Sequence, residues 1–382
     1  MMTKPLLLVV AALMAFSVKA ADIRLPTGHS PKSDIWIDYS DLDYVLSRAV
    51  LNMGPSTHKR AGRVQRDSMT RMYGGSRTAS RHEGNRVAFH LFRDEHRAVV
   101  RAIRNDLLAV PTQLSIEELS RNQQLAYFLN LHNSIVLYKV AEEYPVTNLE
   151  PFFDRSDPNS FINERRFRWG TQTISIADIQ DHILSNWQDP LVIYGFYMGA
   201  VGTPTVREDA FTGDQVYDQL RENARDFVNS VRGTQIWDGD LRVASYYRRM
   251  GSVFPNFEDD VLRHIKEYAR DKFALRLLAV NTVEPRIDDW NIADLYNGHM
   301  HAAGRSNARL VQDVNGAILQ QTDLPLHVRQ TLKDRAKNFM RFRGEVEIEE
   351  LDAGEVEEDE DEETDPEDED EEPDRENPAD RN

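Results

Sequence analysis

The chain has 382 residues, 29% of them charged, a formal net charge of −18 and no cysteine. The missing thiol excludes a cysteine nucleophile, iron–sulfur ligation, cysteine zinc sites and disulfides. The charge is unevenly placed. Residues 345–382 hold 23 acidic side chains against Arg375 and Arg381, a net of −21, so the rest of the chain sums to +3.

Residues 1–20 read as a signal peptide: Lys4, then the apolar run "PLLLVVAALMAF", then Val18-Lys19-Ala20, with cleavage expected between Ala20 and Ala21. The run is too short to span a bilayer, and no later stretch is long enough, so a periplasmic or secreted chain without a membrane span is expected. Residues 21–53 form an N-terminal helical segment, with a helix predicted over 38–52. Residues 54–86 are polar, basic and irregular, punctuated at Gly74-Gly75. From Lys59 to Arg104 twelve basic residues face Asp67, Glu83, Asp94 and Glu95, a net of +8. Export and the scarcity of stacking aromatics argue against nucleic acid. The expected partner is another protein or an anionic ligand such as a glycan or lipid head group, with a merely solvated surface as the plain alternative.

Farther along, apolar periodicity predicts helices over 92–108, 115–143, 176–187, 213–231, 258–279, 305–320 and 326–341. "RRFRWGTQTIS" reads as a hairpin turning at Gly170, feeding a helix capped by Ser175 with Asp178 three residues on. "LVIYGFYM" at 191–198 suits a buried strand, and "TQIWDGDLRVAS" a second hairpin turning at Asp238-Gly239. The fold class is α+β: a mostly helical single domain with a small central sheet or hairpins. C-terminal helices over 296–344 and a disordered acidic tail over 345–382 are appended to it.

"YFLNLHNSIVLY" at 127–138 sets Asn130 and Asn133 one turn apart in an otherwise apolar helix, so both amides need partners. The longer stretch "QQLAYFLNLHNSIVLYKVAEEYPV" resembles the signature helix of the domain of unknown function 547 (DUF-547) family. "TISIADIQDHIL", "GAVGTPTVREDAFTGDQVYDQLRENARDFVNS" and "DDWNIAD" resemble its later segments, so a domain over 87–295 is implied. Typical members carry a histidine and a cysteine in the central strand and a second cysteine before the proline. Here Ile193, Met198 and Thr203 stand there, and the usual glutamate–histidine pair of the preceding helix reads Gln180-Asp181, with His182 one place late.

The resemblance thus implies a degenerate member that binds or scaffolds without catalysis. The alternative is a hydrolase or acyl-transfer enzyme with a non-cysteine nucleophile, whose catalytic candidates are Thr203, His182 and Asp181. Binding candidates are Asn130, Asn133, Tyr194, Thr203 and Arg207. The two asparagines read either as structural amides tying the helix to loop backbone or as substrate-orienting groups, and His132, on another face, as a core or half-exposed histidine. His299 and His301, with His82, His90 and His96, lack a placed carboxylate, so no metal and no cofactor is expected.

Overall fold

The computed structural model describes Ile23, residues 25–61 and 78–298, and beyond them Val328, residues 331–333, Arg335, Ala336 and Phe339. The expected signal segment, residues 62–77, the helix at 305–320, most of that at 326–341, His299, His301 and the acidic tail lie outside the described residues.

Helix α1 (Ser40–Ala49) ends before the expected 52, because Val50 turns extended and β1 (Val50–Leu51) pairs antiparallel with β2 (Arg86–Val87). α2 (Asp94–Ala109) then packs along α3 (Arg121–Glu143), the central element. α3 starts later than the predicted 115. Ile116–Glu118 makes one 3-10 turn, and Ser120 caps the helix by accepting the amide of Gln123 at 3.3 Å. It stops at Tyr144, extended before Pro145. Between these ends it is buried on nearly every side, which a helix tolerates only at the middle of a domain.

The first hairpin forms as expected, β3 (Phe167–Trp169) against β4 (Gln172–Ile174), with Gly170 at φ +56°. α4 (Ile176–Trp187) follows with the expected reciprocal cap between Ser175 and Asp178. The expected strand at 191–198 is not a strand. Asp189 caps the amide of Leu191, Pro190 sits in the first turn, and Pro190–Gly195 winds as a 3-10 helix, buried as predicted but with the other backbone.

α5 (Val216–Val228) lies inside the predicted 213–231. The second hairpin is β5 (Thr234–Trp237) and β6 (Asp240–Ala244), turning through Asp238 and Gly239, both at positive φ. The short α6 (Ser245–Arg249) was not anticipated. The helix predicted over 258–279 is broken into α7 (Phe257–Tyr268), α8 (Asp271–Arg276) and a 3-10 turn. Asn229 makes the break: its Nδ2 donates to Tyr268 O at 2.8 Å and its Oδ1 accepts the Arg270 amide at 2.9 Å. The chain then returns as β7 (Val283–Ile287), parallel to β6, completing a three-stranded sheet. The class is α+β and mostly helical, as the sequence implies.

Residues 289–293 then cross between two loops. Leu149 N and Val201 N donate to Trp290 O and Asn291 O, while Ile292 N and Ala293 N donate to Thr147 O and Gly199 O. Gly202 N donates to Asp289 O, and a Cβ there would lie 2.8 Å from that oxygen, so this crossing requires glycine. Among the described residues no helix is long and apolar enough to cross a membrane.

Gly195 is held against α3 so closely that an added Cβ would meet Leu129 Cδ2 at 2.6 Å. Gly195→Ala should destabilise the fold by about 1–3 kcal/mol through overpacking. Leu129→Ala alone should cost about 2–5 kcal/mol. The double variant should lose clearly less than the sum in urea unfolding; simple additivity would show that the two positions do not press on each other.

Candidate functional site

The two asparagines of α3 are bonded to loop backbone. Asn130 Nδ2 donates to Phe211 O at 2.7 Å and its Oδ1 accepts Phe211 N at 2.9 Å, so one side chain pairs with both groups of one peptide residue. Asn133 Nδ2 donates to Gly195 O at 2.9 Å, and its Oδ1 accepts Tyr197 N at 3.0 Å. That oxygen also lies 2.8 Å from His132 Nδ1, which must therefore carry the proton. His132 Nε2 is left as acceptor for Gln180 Nε2 at 2.9 Å, and Gln180 Oε1 accepts from Arg155 Nη2 at 2.8 Å. A neutral chain thus runs from half-exposed Arg155 to the backbone beside Gly195. His132 is fully buried within it.

Asn130, Asn133 and Arg207 do come together, around a void of about 20 Å³ closed by Leu42, Leu46, Leu137, Val206 and Phe211. That volume suits a single water and excludes an organic substrate. Arg207 is held there by Asp209 at 3.0 Å and Glu222 at 2.9 Å. The centre where the resemblance places a histidine and two cysteines is filled: Ile193, Tyr197, Met198 and Thr203 are all buried.

The catalytic candidates separate. Thr203 Oγ1 donates to Ala200 O at 2.8 Å, and the Thr203 carbonyl accepts from Arg232. Asp181 and His182 instead line a groove of about 1220 Å³ between α4, the β3–β4 turn, residues 111–117 and the extended segment at Leu25–Thr27. Asp181 pairs with Arg155 at 3.1 Å across the surface. His182 is wedged edge-on against Phe128 and Trp187; its Nδ1 lies 3.0 Å from Asn186 Nδ2, and its Nε2 has no hydrogen-bond partner among the described residues. Tyr194 belongs to neither place. Its hydroxyl sits 3.1 Å from that of Tyr247 and 3.0 Å from His264 Nε2, in a closed aromatic cluster.

Trp169 is a groove residue that the sequence did not single out. Its Nε1 donates to Tyr127 Oη at 2.8 Å, and that hydroxyl donates to Leu107 O at 2.8 Å, so the hairpin, α3 and α2 share one bonded line. A buried ionic cluster was also missed. Arg232 bonds Asp226, Thr203 O and Val201 O, and lies against Gly84, whose φ of +71° and contact distance both demand glycine. Glu83 Oε2 accepts Val231 N at 2.8 Å, and burial, outweighing nearby Arg232, pushes its carboxyl up to about 8. Glu83 and Arg232 are far apart in the chain, and no local pattern joins them.

With these segments in place the comparison with known families is decisive for one stretch. Residues 116–228 match the family described as a protein of unknown function, DUF547. Over that stretch, under a third of its length, the chain is similar to the DUF547 family. No curated protein and no solved structure matches the chain. The DUF547 match holds α3 with both asparagines, the first hairpin, α4, the 190–195 turn and α5, whereas Glu83, Arg232 and the 289–293 crossing lie outside it.

Burial lowers His58, His132, His182 and His264 from the usual 6.5 to about 4 each. Below pH 6.5 the unfolded chain takes up protons that the folded chain refuses, so these four remove stability as pH falls from 6.5 toward 4. Glu83, at about 8, and Asp294, raised by burial to about 6, act oppositely and remove stability as pH rises through those ranges. Stability should therefore peak near neutrality and fall more steeply on the acid side. His132→Gln should flatten the acid limb by about one proton in urea midpoints measured against pH; an unchanged limb would show that His132 does not titrate on unfolding. Gln180→Glu sets a carboxylate on His132 Nε2 and should raise the His132 pKa, read by NMR titration of the ring; no rise would break the assigned contact.

Proposed function

We propose that this protein is an exported, non-catalytic binding protein whose DUF547 domain holds an extended polypeptide segment of a partner in the groove beside His182. One observation carries this reading. The positions that the resemblance gives to imidazole and thiols are core residues, and the polar groups around them, Asn130, Asn133, His132 and Thr203, are bonded within the fold, mostly to backbone. Catalysis needs groups held ready for a reacting atom, and none of these is.

The groove supports binding instead. Its floor is apolar, with Leu25, Ile116 and Trp169, and its rim is polar, with Thr112, Gln113, Thr171, Ser185 and Asn186. The β3–β4 hairpin has only two strands, so its outer edge offers main-chain groups to an added segment. His182 lines that wall, and its buried Nε2 has no hydrogen-bond partner among the described residues. Export to the periplasm or the medium is supported by the basic start, apolar run and small residues of the first twenty positions.

Three measurements test the reading. Expressed from Met1 in a bacterial host, the exported chain should begin at Ala21 on N-terminal sequencing; a chain that keeps Met1 and stays in the cytoplasm would overturn export. Peptides selected from a displayed random library should bind wild type, and lose on the order of tenfold affinity with His182→Ala or Ser185→Arg; equal affinity in both variants would move the site elsewhere. Chromogenic ester and amide panels should show no turnover that depends on Thr203. A rate abolished by Thr203→Ala in a folded variant would restore the hydrolase alternative.

A further inference from the structure

Several surface arginines elsewhere on this chain are matched by carboxylates, Arg155 by Asp181, Arg165 by Asp178, Arg221 by Asp218 and Arg263 by Asp260, while Arg48, Arg93, Arg101, Arg168, Arg225 and Arg248 are exposed singly outside any ion pair among the described residues. Around α8 such cations are grouped. Lys59, Arg60, Arg270, Lys272 and Arg276 are exposed there, and none of them joins an ion pair among the described residues. Within α8 the one carboxylate is Asp271. His58, whose ring lies 3.9 Å from that of Phe273, fastens Lys59 and Arg60 beside this helix.

Two leucines stand out of the same face. Leu275 is 68% exposed and Leu278 is 74% exposed, three residues apart, while Phe273 and Leu277 between and before them are buried. A single exposed leucine needs no explanation. A projecting pair at helical spacing on an element that carries Lys272 and Arg276 outside any ion pair among the described residues does. Trp237, 51% exposed at the tip of the second hairpin, has the Arg242 guanidinium 5.0 Å over its ring. The hairpin is tied to the strand of chain that leaves α8: Leu241 N donates to Thr282 O at 3.1 Å, and Thr282 Oγ1 donates to Asp240, the cross-strand partner of Trp237.

We propose that this face docks on an anionic phospholipid bilayer. Leu275 and Leu278 enter the acyl boundary, Trp237 rests at headgroup level, and the lysines and arginines lie over lipid phosphates. The shape of the face favours lipid over a protein partner. Side chains this exposed project beyond their neighbours and give a protein no wall to complement, whereas a fluid acyl layer needs none. The chain's net charge does not oppose docking, because the excess of −21 belongs to residues 345–382 and the remainder sums to +3. At physiological salt the Debye length is about 8 Å, so only nearby charges are felt at the membrane.

The test is co-sedimentation of the full chain with vesicles of phosphatidylcholine alone or mixed with phosphatidylglycerol. Partition into the mixed vesicles should exceed that into phosphatidylcholine on the order of tenfold and be released at about 0.5 M salt. Leu275→Ser with Leu278→Ser, and separately Lys272→Glu with Arg276→Glu, should each cut partition on the order of tenfold while near-ultraviolet circular dichroism stays unchanged. Brominated acyl chains should quench tryptophan emission in wild type, and less in Trp237→Phe. Equal binding to both vesicle types, no binding, or leucine variants that bind like wild type would overturn the proposal. Leucine-dependent self-association in sedimentation velocity, without vesicle binding, would also overturn it and assign the face to a second copy of the chain.

Discussion

Two side-chain amides on α3 let this fold pack irregular backbone against an apolar helix. The segments around 195–197 and 211 have no ladder to satisfy their peptide groups, and buried peptide groups without partners cost about 1–3 kcal/mol each. Asn130 and Asn133 act as peptide units that project sideways from the helix, each offering a donor and an acceptor to the passing chain. The loops are thereby fixed in register to α3. The same clamp explains why position 195 has no side chain: the backbone is drawn down onto Leu129, leaving no room for a Cβ.

The second fixed point is the crossing at 289–293. It supplies partners to Leu149 and Thr147 on one side and to Gly199, Val201 and Gly202 on the other. Trp290, buried there, stacks on Phe153 at 5.9 Å, takes Arg249 over its ring at 4.3 Å, and donates to Asp288 at 2.8 Å. The DUF547 segment 116–228 therefore does not close its own backbone accounting; strands of chain from beyond its matched end complete it.

What could be read from sequence divides by range. The cap at Ser175 and Asp178 and the turns at Gly170 and Asp238-Gly239 were legible because three or four residues determine them. The need for partners at Asn130 and Asn133 was legible too, since amides in an apolar helix pose the question themselves, but Phe211 and Gly195 as the answer were not. "LVIYGFYM" misled because a short buried apolar run has the same composition in either backbone, and Asp189-Pro190 together with the Asn133 clamp selected the helical one. The break before α8 depends on Asn229, 39 residues from the carbonyl it holds at Tyr268. No periodicity over 258–279 could reveal it. In the candidate site, Asp181 and His182 were rightly neighbours on α4, while Thr203 was grouped with them through the resemblance alone, and the fold commits its hydroxyl to Ala200.

The distribution of unsatisfied groups then bears on where this molecule can bind. At the centre, a neutral glutamine at 180 is what lets the relay close. An amide can donate to His132 Nε2, whereas a carboxylate could do so only when protonated, and a buried charge beside a buried imidazole would need its own compensation. Neutral partners leave the imidazole at the centre without a buried charge beside it. At the periphery the situation is reversed. His182, which lines the groove, meets Trp187 edge-on, and among the described residues His182 Nε2 and Trp187 Nε1 have no hydrogen-bond partner. On the proposed reading, recognition belongs to the groove beside α4 and not to the filled centre.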